Sequence, residues 1–135
     1  MGRSESRLAA VDTATWFTYS QIVSATVVVT NRYERDVKRL LSADERAAME
    51  GSIASAPEAH PVVAGTGGVR KARWGRQGKG KRGGVRAIYY FWSADDEVYL
   101  ITVYAKSEKT DLTAEDRKAA RLFVEAIKHE KEARR

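Results

Sequence analysis

The sequence predicts one α+β domain: a small antiparallel sheet of three C-terminal strands plus an N-terminal strand, packed on an αα-hairpin and a C-terminal helix. Three observations predict it. A β-branched run at residues 25–30 (ATVVVT) is followed by two short stretches of helical spacing. From residue 69 to 105 the apolar period drops to two in three separate segments. A helical stripe returns near residue 113. The 135 residues suffice for one core.

Taken in order, residues 1–24 show no sustained period and read as an extension in which Trp16 and Phe17 can pack on the domain surface. Residues 25–30 read as a strand, because β-branched side chains suit a pleated surface. Asn31 can cap a helix whose apolar positions are Tyr33, Val37, Leu40 and Leu41. Ser42 with Glu45 forms a capping-box pattern that starts a second helix, which ends near Ser55 before Pro57. Residues 65–68 (GTGG) form a turn. Residues 69–74, 85–92 and 98–105 read as strands, and their short connections, 75–84 and 93–96, imply antiparallel neighbours. Thr113 and Asp116 open a last helix with Ala119, Leu122, Phe123, Ala126 and Ile127 as its apolar stripe. Its charged end is expected to fray. The predicted division is an extension (1–24), a domain (25–128) and a charged tail (129–135).

A formal charge of +6 favours a polyanionic partner. With no cysteine there are no disulfides, thiolate metal sites or cysteine nucleophile, which suits a reducing cytoplasm. No stretch approaches the ~20 apolar residues of a membrane helix, and Asp12 interrupts any signal-peptide run. A cytoplasmic protein is expected.

The charge is concentrated. Between residues 70 and 86 lie eight basic residues (Arg70, Lys71, Arg73, Arg76, Lys79, Lys81, Arg82 and Arg86), five glycines and no acid. Crowded like charges gain nothing from folding alone, whereas a polyanion neutralises them and releases counterions. Glycines let the backbone approach phosphates. A solvated hairpin tip that aids solubility is the plain alternative. Residues 75–81 fit the start of a phosphate-binding P-loop, but Arg82 stands where Ser or Thr should hold magnesium, and a strand follows instead of a helix.

Strict alternation buries Ala72, Trp74, Ala87, Tyr89, Phe91, Ile101 and Val103 against the helices. It collects Lys71, Arg73, Arg86, Tyr90, Thr102, Tyr104 and Lys106 on an open face. Clustered cations there can hold a phosphate and stabilise the charge that builds when a ribose 2′-OH attacks it. A lysine among cations can act as acid or base, and a tyrosine can pass a proton or stack a base. A binding face without chemistry is the alternative. His60 and His129 read as surface residues, and no carboxylate group reads as a metal site.

Residues 65–74 (GTGGVRKARW), 78–86 (GKGKRGGVR) and 88–90 (IYY) resemble the RelE/HigB toxins of bacterial type II toxin–antitoxin systems. Tyr104-Ala105-Lys106, Glu108-Lys109 and Asp111-Leu112-Thr113 continue the likeness. So do Leu40-Leu41-Ser42, Glu45-Arg46 and residues 56–59. The resemblance spans about residues 25–127 and implies a cytoplasmic toxin that cleaves mRNA in the ribosomal A site without metal or other cofactor. It also implies a cognate antitoxin, often one with a helix-turn-helix DNA-binding domain. By that resemblance, Lys71 and Arg73 match a lysine pair before the loop. Lys71 is the base or a phosphate clamp, Arg73 and Arg86 bind phosphate, and Lys106 stabilises charge or protonates the leaving oxygen. Tyr104 or Tyr90 substitutes for a terminal tyrosine that has no match here. Arg70, Arg76, Lys79, Lys81, Arg82 and Tyr90 are the expected RNA contacts. A gyrase-inhibiting relative of the ParE type, or an RNA binder without nuclease activity, remains the alternative.

Overall fold

A computed structural model of the chain describes residues 24–75 and 84–134. The extension with Trp16 and Phe17 lies outside them, as do the loop cations Arg76, Lys79, Lys81 and Arg82. Strand β1 (Thr26–Val29) leads into α1 (Asn31–Leu40) and α2 (Ala43–Ser55). Strands β2 (Arg70–Trp74), β3 (Val85–Trp92) and β4 (Glu97–Ala105) follow, then α3 (Ala114–Ala133). The sheet order is β1-β4-β3-β2. Strands β2, β3 and β4 form an antiparallel meander, and β1 joins β4 in parallel, Thr26 opposite Glu97.

Local chemistry sets the helix ends. Thr30, not Asn31, caps α1, because its hydroxyl accepts the Tyr33 N–H at 3.0 Å while Asn31 is already helical. Ser42 and Glu45 complete a capping box on α2, and Thr113 and Asp116 complete one on α3. The end of α3 does not fray where the sequence suggested it would. Lys131 donates to Asp95 at 2.6 Å and also to Glu97, which ties the last turns of the helix to the β3–β4 turn.

Both sheet faces are covered. On one, Tyr33, Val37, Met49 and Ile53 of the helix pair pack on Ala72, Ala87, Tyr89, Leu100 and Val103. On the other, Ala120, Val124 and Ile127 of α3 pack on Ile88, Tyr90 and Tyr104. The face expected to be open is therefore largely roofed by α3. The buried stripe of α3 is also rotated from the expected one: Ala120 and Val124 face inward, while Leu122 is 52% exposed and Ala119 and Ala126 are exposed.

One irregularity reassigns a strand. The pairs Ile88–Thr102 and Tyr89–Leu100 leave Ile101 as an extra residue in β4. Such a bulge shifts the alternation by one position. Ile101 thus packs beside α3, and Leu100 takes its expected place against α1 and α2.

Candidate functional site

The β2–β3–β4 register brings three predicted residues into one row. Arg73 stands opposite Arg86, and Arg86 opposite Tyr104. With strands about 4.8 Å apart, the row spans roughly 10 Å on one face. Lys71 lies two residues from Arg73 on the same face, in the row of Ile88 and Thr102. Lys106 follows the end of β4, its N–H donating to the Gly84 carbonyl at 2.9 Å beside the root of the hairpin. The Glu108 carboxylate accepts the Ala105 N–H at 3.1 Å and pairs with Arg39, which fixes the turn after β4.

The cations of this group differ in their company. Arg86 is only 9% exposed, and its Nη1 donates to the Val85 carbonyl at 3.2 Å. Among the described residues no carboxylate pairs with Arg73, Arg86 or Lys106. Residues 76–83 of the loop contain no acid. A buried guanidinium without a carboxylate is costly unless an anion arrives to balance it. Lys71 does have a partner: its Nζ lies 3.5 Å from Asp111 Oδ1, and Arg117 Nη2 lies 3.1 Å from Asp111 Oδ2. The Leu112 N–H, then Lys71 and Arg117, hold the Asp111 carboxyl below the usual carboxylate range against the opposing effect of burial.

Tyr104 is 4% exposed, and its hydroxyl is buried with no hydrogen-bond partner among the described residues. An orphaned buried hydroxyl costs about 1–3 kcal/mol. Burial and the Asp111 charge push its pKa up, so at neutral pH it is a donor awaiting an acceptor. Lys109 Nζ sits 5.0 Å from the Tyr104 ring centroid and 2.7 Å from Asp116 Oδ2. Lys109 and Asp111 are not among the site residues expected from the sequence, because their contacts with Tyr104 and Lys71 span 5 and 40 residues. Their place in the quoted YAKSEKTDL stretch was the one available signal.

Two expected RNA contacts engage other parts of the fold. Tyr90 is 8% exposed and packs in the α3 core, with Gly68 close upon it. A Cβ at Gly68, whose φ is +116°, would lie 3.4 Å from Tyr90 Cε1, so any larger residue there would crowd the ring. Arg70 donates through Nη1 to the carbonyls of Glu58 (3.2 Å) and His60 (2.7 Å), clasping the α2–β2 connection to the sheet. Arg76, Lys79, Lys81 and Arg82 lie outside the described residues.

Residues 30–134 match the family described as the RelE toxin of the RelE/RelB toxin–antitoxin system. The chain belongs to the RelE toxin family. The RelE match starts at the Thr30 cap and includes every residue of the Arg73–Arg86–Tyr104 row. Among solved structures, a mutant of the E. coli toxin RelE in the free state is similar, with 15% identity, a TM-score of 0.48, and coverage of 65% of this chain and 90% of that one. The intact E. coli RelBE toxin–antitoxin complex matches at 17% identity and a TM-score of 0.45, covering 61% of this chain and 96% of that one. Among the described residues of this RelE-family toxin, no helix is long and apolar enough to cross a membrane.

Proposed function

We propose that this RelE-family toxin is a ribosome-dependent mRNA endoribonuclease of the cytoplasm, held inactive by a cognate antitoxin with a helix-turn-helix DNA-binding domain. The observation that carries the reading is the buried Arg86, which no described carboxylate pairs, flanked in one row by Arg73 and by the Tyr104 hydroxyl, which has no hydrogen-bond partner among the described residues. That row is arranged for an anion with several oxygens, and a phosphodiester supplies one. The ribose 2′-OH passes its proton to Lys71 or to water as its oxygen attacks phosphorus. The bond to the 5′ oxygen breaks and that oxygen is protonated, and a 2′,3′-cyclic phosphate and a 5′-hydroxyl result. Arg73 and Arg86 grip the non-bridging oxygens as charge builds, and Tyr104 donates to one of them. Lys71, paired with Asp111, takes the 2′ proton or clamps the phosphate, and the exposed Lys106 protonates the leaving oxygen. The cations of loop 75–84 grip the RNA or ribosome backbone.

The test is induction of wild-type, Lys71→Ala and Arg86→Ala chains in cells, with growth followed and mRNA 5′ ends mapped by primer extension. Cuts within translated codons that vanish in both variants support the reading. Growth arrest and cuts unchanged by both substitutions would sink it. DNA damage without RNA cuts would turn it to gyrase inhibition.

A further inference from the structure

A second feature lies away from the cationic row. Between β1 and α3 runs a groove of about 500 Å³, lined by Val28, Val29, Tyr99, Phe123 and Ile127, with Glu130 as the one charged side chain among the described lining residues. Val28 and Val29 remain 38% and 36% exposed. The groove borders a sheet edge on which no described strand pairs. Thr26 and Thr30 donate their N–H groups inward to Asp96 and Leu100, so the peptide groups of Val27 and Val29 point away from β4. An apolar groove beside an open strand edge is a liability unless something covers it.

The chain carries a matching segment. Residues 16–23 (WFTYSQIV) have no charged side chain and include three aromatic and two aliphatic residues. They end at Val23, three positions before β1. Eight residues reach up to about 26 Å when extended, and a four-residue strand is about 13 Å long. The segment is therefore long enough to turn and run back along β1. Its apolar character and missing charge suit a groove with a single carboxylate at its rim, and it is tethered there at high effective concentration.

We propose that residues 16–23 of the same molecule cover the groove and the outer edge of β1, seating aromatic side chains against Phe123 and Ile127. This inference is independent of the nuclease reading.

The experiment uses the full chain, whose lack of cysteine permits a single engineered label site. A nitroxide on Ala126→Cys, an exposed position in the groove, is compared with one on Ala48→Cys, exposed on α2 across the sheet. The Trp16 indole resonance and the amides of residues 16–23 should lose most of their intensity with the Ala126 label alone, at any protein concentration. In parallel, the Val27 and Val29 amides should exchange slowly, and Trp16→Ser with Phe17→Ser should speed them about tenfold or more. Three results overturn the proposal. One is undiminished Trp16 signal with the Ala126 label. Another is broadening only when labelled and isotope-enriched molecules are mixed, which would make a second copy the occupant. The third is fast Val27 and Val29 exchange in the unsubstituted chain.

Discussion

Replacing Arg86 with methionine separates function from stability. The side chain is 9% exposed, at the centre of a three-strand row, and no described carboxylate balances its charge. Methionine has similar length, so the substitution leaves little cavity. It removes a buried charge and one hydrogen bond to Val85. Losing that hydrogen bond costs about 1 kcal/mol. A buried charge that no described carboxylate balances costs more than a paired one, so exchanging it for well-packed apolar volume should stabilise by about 1–4 kcal/mol. The net change in unfolding free energy should therefore lie between about zero and +3 kcal/mol, read as a raised urea midpoint at unchanged slope. Loss of a preorganised donor to the transition state should meanwhile lower RNA cleavage by about 10²–10³-fold. The opposite signs carry the argument. If Arg86→Met unfolds at lower urea and loses activity only in proportion, Arg86 is a structural residue and the anion-site reasoning fails.

Other expectations follow from the same contacts. Tyr104→Phe removes the orphaned hydroxyl and should stabilise the fold by about 1 kcal/mol while cutting cleavage about 10²-fold; equal or lower stability would mean that the hydroxyl has a partner. Asp116 has its carboxyl lowered from 3.8 to about 2, where burial alone would raise it, because Lys109 and the Thr113 cap outweigh burial. A carboxylate with a depressed folded pKa favours folding above its unfolded value, so that contribution should fade as pH falls from about 4 through about 2. Asp116→Asn should flatten this step in a series of thermal midpoints against pH. Lys131→Ala, which frees Asp95 and Glu97, should lower the thermal midpoint slightly and speed amide exchange in the last turn of α3, whereas an already frayed end would show no change.

Much of the fold was legible because local signals agreed with the tertiary outcome. The β-branched run made β1, and the Ser42–Glu45 and Thr113–Asp116 boxes placed α2 and α3. The hairpin register aligned Arg73 with Arg86, since alternation in β2 and β3 is uninterrupted up to that pair. What failed had physical reasons. Adjacent Thr30 and Asn31 are both good caps, and only the bond from the Tyr33 N–H decided between them. The bulge at Ile101 leaves no mark in the apolar pattern, because Leu100, Ile101 and Val103 are interchangeable on either covered face. A helical stripe also does not say which sheet face it will cover. Tyr90 therefore read as an open-face aromatic although α3 buries it. The parallel entry of β1 and the Lys71–Asp111 pair depend on contacts about 70 and 40 residues apart in sequence.

The most direct test of the nuclease account is the chemistry of the product ends. Purified toxin is added to ribosomes programmed with a defined mRNA, and the fragments are analysed with and without enzymatic removal of cyclic phosphate. The account predicts cuts only on ribosome-bound message, upstream fragments ending in 2′,3′-cyclic phosphate, downstream fragments starting with a 5′-hydroxyl, and no cuts with Arg86→Met. Intact message under the same conditions, or fragments with a 5′-phosphate and a free 3′-hydroxyl, would contradict it.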